Sequence, residues 1–267
     1  GDSVLNEFKN YDDLLAAKKI TGSDVSFVIP RRNWATGTTY DIYRHDYEEF
    51  VTGSTSTKVT ANSTATTLFD ATFYVLTSDR NVYKCLDNDG NTASTVEPTG
   101  TSTSVITTGD GYKWKYMYTL SAAQQSNFLS TDFMAVATNS TVSSAATDGG
   151  IDIVKIKTAG SSYTVSGGGT SGTITNVPIR GDGSSAVCSV TLTSGAITAV
   201  TITTNGSGYT SGYIRNADII GATGAGGAGS GAELDVIIPP KGGHGFNAVE
   251  ELGGFFVMLN TTLEGTE

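Results

Sequence analysis

Hydrophobic and polar positions alternate at period two over much of this chain, which places successive side chains on opposite faces of a strand. The clearest case is residues 112–118. Tyr112, Trp114, Tyr116 and Tyr118 alternate there with Lys113, Lys115 and Met117, so the four rings are predicted to share one face. Gly109-Asp110-Gly111 supplies turn chemistry directly before them. A second strand pattern, Asn81 to Leu86, precedes a turn-rich link containing Asp89-Gly90 and Glu97-Pro98. Aromatic side chains dominate the packing energy of whatever they face, so residues 80–120 are expected to centre the first core.

The neighbouring segments read in the same way. Phe27-Val28-Ile29 is a short strand ended by Pro30. Residues 68–77 are strand-like, with Phe73 and Val75 opposite Tyr74 and Leu76. Phe133 to Ala137 and Phe255 to Leu259 complete the set, the last expected to return to the first domain. Two helices are predicted. Residues 3–20 place Val4, Phe8, Tyr11 and Leu15 on one stripe, with Ser3 as N-cap and Gly22 as stop. Ser121 and Gln124 form a capping-box pattern that starts a helix running to about Leu129. Residues 39–51 fit strand and helix spacing equally loosely. Residues 52–67 read as a loop or edge strand, and 138–148 as a polar linker.

From Ile151 the character changes. An offset of 46 residues aligns Val154 with Val200, Ile156 with Ile202, Gly160 with Gly206 and Tyr163 with Tyr209. It also aligns Gly183 with Gly229, Ala186 with Ala232 and Val190 with Val236. Each unit reads as a strand, a Gly-Ser turn, a Tyr-Thr pair, a glycine-rich loop and another strand. Two such units are expected to stack and share a core. The predicted fold is therefore mainly β. A β-sandwich-like first domain with a few short helices (1–148) carries an inserted β domain of two tandem repeats (149–240). Residues 241–267 form the return strand.

Composition narrows the function classes. Net charge is −10, with 16 Lys and Arg against 26 Asp and Glu, which argues against a nucleic-acid partner. No apolar run is long enough to span a bilayer, so no membrane role is expected. Cys85 and Cys188 lie far apart in apolar strands and read as small buried hydrophobes. Gly1 looks like the remnant of a cleaved tag and Glu267 ends in mid-pattern, so the chain is expected to be a fragment of a longer protein.

Candidate chemistry is sparse. Arg31 and Arg32 beside Trp34 could hold an anionic or planar ligand, but pairing with carboxylates such as Asp41 or Asp46, or with a neighbouring subunit, is the favoured reading. His45 is read as solvated and His244 as a turn residue, since neither has converging ligands. Asp87-Asn88-Asp89-Gly90 lacks the full spacing of a calcium loop and reads as a turn. The glycine-rich loops 181–186 and 221–232 precede strands and contain no lysine, which excludes a phosphate-binding loop. There is no GxSxG, HExxH or CxxC, and adjacent acids such as Glu250 and Glu251 point apart. No enzyme activity, cofactor or metal is expected. Tyr163 and Tyr209, repeated in both units, are candidates for stacking against a sugar.

The order VIPRR-x-W (28–34), VYKCLD (82–87), Glu97-Pro98 and GDGYKWKYMYTL (109–120) resembles the wedge protein of T-even-like phage baseplates, the family often called gene product eight. The resemblance covers roughly residues 24–120. It implies a β-rich, dimeric structural subunit of the virion, assembled in the host cytoplasm beside other wedge subunits. Arg31, Arg32, Trp34, Tyr112 and Trp114 would then define the fold or an interface, and the family supplies no catalytic residue. The tandem units depart from the T-even pattern and look like an insertion in a marine-phage version. The alternative expectation is a glycan- or receptor-binding module of a phage tail.

Overall fold

The computed structural model describes residues 17–47 and 62–263. The predicted helix over 3–20 lies outside the described residues except for 17–20, which are irregular, and most of the predicted loop 52–67 also lies outside. Among the described residues the chain is mainly β, with fourteen strands and four short helices.

The first domain packs two antiparallel sheets face to face. One has the order β14 (Phe256–Leu259), β1 (Val25–Pro30), β6 (Phe133–Ala135). The other has the order β2 (Tyr74–Leu76), β3 (Asn81–Asp87), β5 (Lys113–Thr119), β4 (Ile106–Thr107). Val28, Ile29 and Met134 from the first sheet meet Leu76, Val82, Leu86 and Met117 from the second in one core. Helix α1 (Ala122–Phe128) begins with the predicted capping box. The Ser121 side chain accepts from the Gln124 amide, and the Gln124 side chain accepts from the Ser121 amide. The stretch read as a polar linker contains helix α2 (Ser140–Ala145), capped by the Asn139 side chain, which accepts from the amides of Thr141 and Val142.

The second face of the four-stranded sheet is also covered. Tyr40 and Ile42, from an irregular segment, pack with Tyr83, Cys85, Tyr112, Trp114 and Tyr116 in a separate cluster. With apolar material on both faces, β3 is buried over six consecutive residues and β5 over five. The expectation that the four rings share one face is corrected here. The register runs Tyr83↔Tyr116 and then Val82↔Tyr118, so Met117 is an extra residue in a β-bulge. The bulge turns Tyr118 into the inter-sheet core, where its hydroxyl donates to the Ala135 carbonyl at 2.8 Å, while the other three rings remain on the outer face.

The duplicated region has its own core, drawn from residues 151–238. The two units do not stack as closed modules. They exchange strands. The first strand of unit one, β7 (Ile153–Ser161), pairs with the last strand of unit two, β13 (Ser230–Ile237). The first strand of unit two, β11 (Ala196–Thr204), pairs with β10 (Val187–Thr193) of unit one. The registers match across the duplication. Cys188↔Ile202 and Val190↔Val200 in one pair correspond to Leu234↔Ile156 and Val236↔Val154 in the other. Unit one adds β8 (Gly172–Pro178) beside β10. At the equivalent place unit two has helix α3 (Asn216–Ile220) and a turn. A short pair, β9 (Arg180–Gly181) with β12 (Gly212–Tyr213), completes the region. The end of the β7–β13 ladder, Ile153 opposite Ile237, belongs to the core of the first domain and joins the two parts.

Candidate functional site

A cleft of 930 Å³ opens between the four-stranded sheet and the duplicated region. Lys113 and Lys115 of β5 face it from one side, Lys155 of β7 from the other, and His244 and Asp152 line it as well. Asp87 ties the two sides together by pairing with Lys113 at 3.5 Å and with Lys155 in a closer contact.

Charged groups that a sequence would place in solvent are buried behind this cleft. Lys84 and Lys115 are direct cross-strand partners, and both are buried. Like charges placed opposite each other on a sheet repel, so each needs an acceptor. The Lys84 ammonium pairs with the Glu251 carboxylate from helix α4 (Ala248–Glu251) and lies 4.9 Å from the Tyr43 ring centre. Glu251 also accepts from the amides of Gly245 at 2.8 Å and Asn247 at 3.1 Å, which folds the 243–247 turn over the site. Lys115 donates to the Thr103 carbonyl at 2.5 Å and makes no ion pair among the described residues. Burial pushes the Lys84 ammonium down, and the neighbouring Lys115 adds to that effect against the pull of Glu251. Burial pushes the Asp152 carboxyl up despite the lysines beside it and a hydrogen bond from Asn205.

His244 is only 2 % exposed, and its ring meets Tyr43 edge-on at 4.9 Å. Its Nδ1 is sealed, with no hydrogen-bond partner among the described residues. Burial, reinforced by Lys84 and Lys115, holds the imidazole well below its ordinary value and therefore neutral.

The residues singled out from sequence lie elsewhere. Arg31 and Arg32 do not pair with Asp41 or Asp46. Arg31 donates to the Ser130 carbonyl at 2.8 Å and to Asn33 Oδ1 at 3.0 Å. Arg32 clasps the carbonyls of Phe69, Asp70 and Ala71 and lies over the Tyr74 ring. The two carboxylates are engaged by others, Asp41 by Ser63 and Thr72, and Asp46 by Arg44. Arg44 also reaches Asp235 of the duplicated region. Trp34 donates its indole N–H to Ser94 Oγ at 3.1 Å. Tyr112 and Trp114 stack at 5.4 Å with both rings fully buried, so they support the fold from inside. His45 is exposed, and its Nδ1 accepts from the Ile238 amide.

Tyr163 and Tyr209 are not available to a sugar. They are 0 % and 3 % exposed, and each ring is inserted into the other unit. Tyr209 donates to the Ile179 carbonyl at 2.9 Å and accepts from the Ala186 amide. Tyr163 donates to Asn216 Oδ1 and accepts from the Ala232 amide, the counterpart of Ala186. A glycine lies under each ring, because a Cβ at Gly183 would come within 2.3 Å of Tyr209 and one at Gly229 within 2.2 Å of Tyr163. The repeated tyrosines thus lock the strand exchange.

The Lys84, Lys115, Asp152, Glu251 and His244 cluster is absent from the sequence reading. The available signal was lysine inside two strongly apolar strands, Lys84 in β3 and Lys113 with Lys115 in β5, where a solvated face should carry more polar residues. Among the described residues, no group of three or more His, Cys, Asp or Glu side chains could hold a metal, and no helix is long and apolar enough to cross a membrane. No family model, curated protein or solved structure matches the chain.

Proposed function

We propose that the chain is a structural subunit of a bacteriophage tail baseplate wedge and acts by burying surface against other wedge subunits. The observation that carries this reading is the apolar edge formed by β14. Phe255, Phe256, Val257 and Leu259 are 67, 52, 61 and 56 % exposed, and Phe27, the partner of Val257 on β1, is 52 % exposed. β14 is the outer strand of its sheet. Among the described residues this uncharged strand leaves both its apolar side chains and its outer backbone groups open, which makes it a template for pairing with another chain. A monomer that worked alone would blunt this edge with charge or cover it. The occupant is a neighbouring wedge subunit, in keeping with the order of motifs in residues 24–120. The glycan-binding alternative is not retained, because the two tyrosines it needs are inside.

Co-expression with the wedge proteins of the same phage tests the proposal. The expected result is a stable complex that includes this chain and is lost on Val257→Lys. If the chain joins no wedge complex under conditions where the other subunits assemble, the proposal is rejected.

A further inference from the structure

The cleft behind Lys115 has features of a ligand site that the assembly role does not use. At 930 Å³ it falls within the range of about 300–1,000 Å³ typical of small-molecule pockets, and it lies at a boundary between two cores, where such pockets concentrate. It combines an ammonium with spare donors and a lining histidine, His244, whose sealed Nδ1 leaves the other ring nitrogen, Nε2, as the one that can meet a ligand. An ammonium has three N–H donors, and among the described residues the one hydrogen bond of Lys115 goes to the Thr103 carbonyl. His244 is within reach of the same space, since its neighbour Gly245 packs against the Lys115 stem, with only 3.5 Å between a Cβ built there and Lys115 Cε. Among the described residues no acid that lines the cleft is in ion-pair contact with Lys115, although Asp152 lies close enough to act on it. Asp87 is shared by Lys113 and Lys155, and Asp152 is bound by Asn205.

We infer that this cleft binds a small molecule through an oxyanion group, a carboxylate or phosphate held by Lys115 and His244. The oxyanion gives Lys115 an anion in direct contact and accepts from the Nε2–H of His244. A charge-assisted contact of this kind is roughly twice as strong as a neutral one. The inference is independent of the wedge assignment, because it concerns the isolated chain.

The chain has only two histidines, so selective ¹³C labelling of histidine gives two ring signals, with the exposed His45 as internal control. The labelled protein is titrated at constant ionic strength with inorganic phosphate and, separately, with citrate. The expected result is a saturable shift of the His244 signal with at least one anion and no shift of His45. The responding arm distinguishes phosphate from carboxylate recognition. Lys115→Met should weaken the response by about tenfold or more, whereas Lys157→Met, at an exposed pair with Glu233, should leave it unchanged. Absence of a saturable His244 shift with both anions in the wild-type protein overturns the inference. So does a folded Lys115→Met protein, with its His45 signal in place, that responds like wild type.

Discussion

Lys84 and Lys115 face each other directly across antiparallel strands, and both ammonium groups are buried. Among the described residues only one of them has a carboxylate in contact, the Glu251 partner of Lys84, which lies 167 positions away in the chain. This asymmetry makes the pair informative about stability. Glu251→Leu leaves the buried Lys84 ammonium without its ion-pair partner and should cost about 3–5 kcal/mol. Lys84→Met should cost less, because Glu251 keeps its hydrogen bonds from Gly245 and Asn247. Urea unfolding midpoints of the two variants check this order.

The buried imidazole makes stability depend on pH. In the folded chain His244 resists protonation, whereas in the unfolded chain it takes up a proton near 6.5. The unfolded state therefore binds more protons as pH falls through that value, and stability decreases below it. Thermal unfolding from pH 8 to pH 5 should show a declining midpoint that flattens in His244→Phe. Asp152 acts with the opposite sign. Its folded carboxyl holds its proton above the ordinary 3.8, so stability falls as pH rises through that window. Asp152→Asn should accordingly raise the midpoint at neutral pH.

Glycines at the strand exchange should be intolerant of a methyl group. Gly160 and Gly206 occupy equivalent places with φ of 66° and 64°. A Cβ at Gly206 would lie 2.4 Å from the Ser184 carbonyl oxygen, and one at Gly160 would lie 2.6 Å from the Ala232 amide. Backbone cannot yield cheaply at either place. Each Gly→Ala change should destabilise by more than the ~1 kcal/mol that the same substitution can gain at a compatible site. The two losses should be similar, a result that calorimetry on both variants can check.

The apolar edge predicts a separation of stability from assembly. Val257→Lys changes a side chain that is 61 % exposed, so the isolated chain should unfold within about 0.5 kcal/mol of wild type. Loss of the wedge complex without loss of stability would mark β14 as an interface. A large drop in stability would show instead that the strand supports the fold.

Several features were legible because their causes are local. The capping box at Ser121 needs only residues three apart, and helix α1 starts there. Short apolar strand patterns marked β1, β3 and the return strand β14, and period-two alternation marked β5, because both depend on adjacent positions. The 46-residue offset was visible, and the matched registers of the two exchanged ladders follow it. Helix α2 was missed because Ser140–Ala145 has weak periodicity and only one buried residue, Val142.

The sequence by itself determined where the main strands of both regions lie (though not β4, β8, β9 or β12), where one helix begins and that residues 151–238 contain one pattern twice. Tertiary structure decided how those pieces use their side chains. The bulge at Met117 turns Tyr118 away from its three aromatic neighbours, and no alternation rule can anticipate an extra residue imposed by a partner strand. The paired tyrosines, exposed in a linear reading, are sealed because each unit completes the other. Lys84, Lys115 and His244 are buried by residues far from them in sequence, above all the 243–251 turn and helix folding over β3 and β5. Burial and charge compensation are sums over spatial neighbours, and those neighbours exist only once the chain has closed on itself.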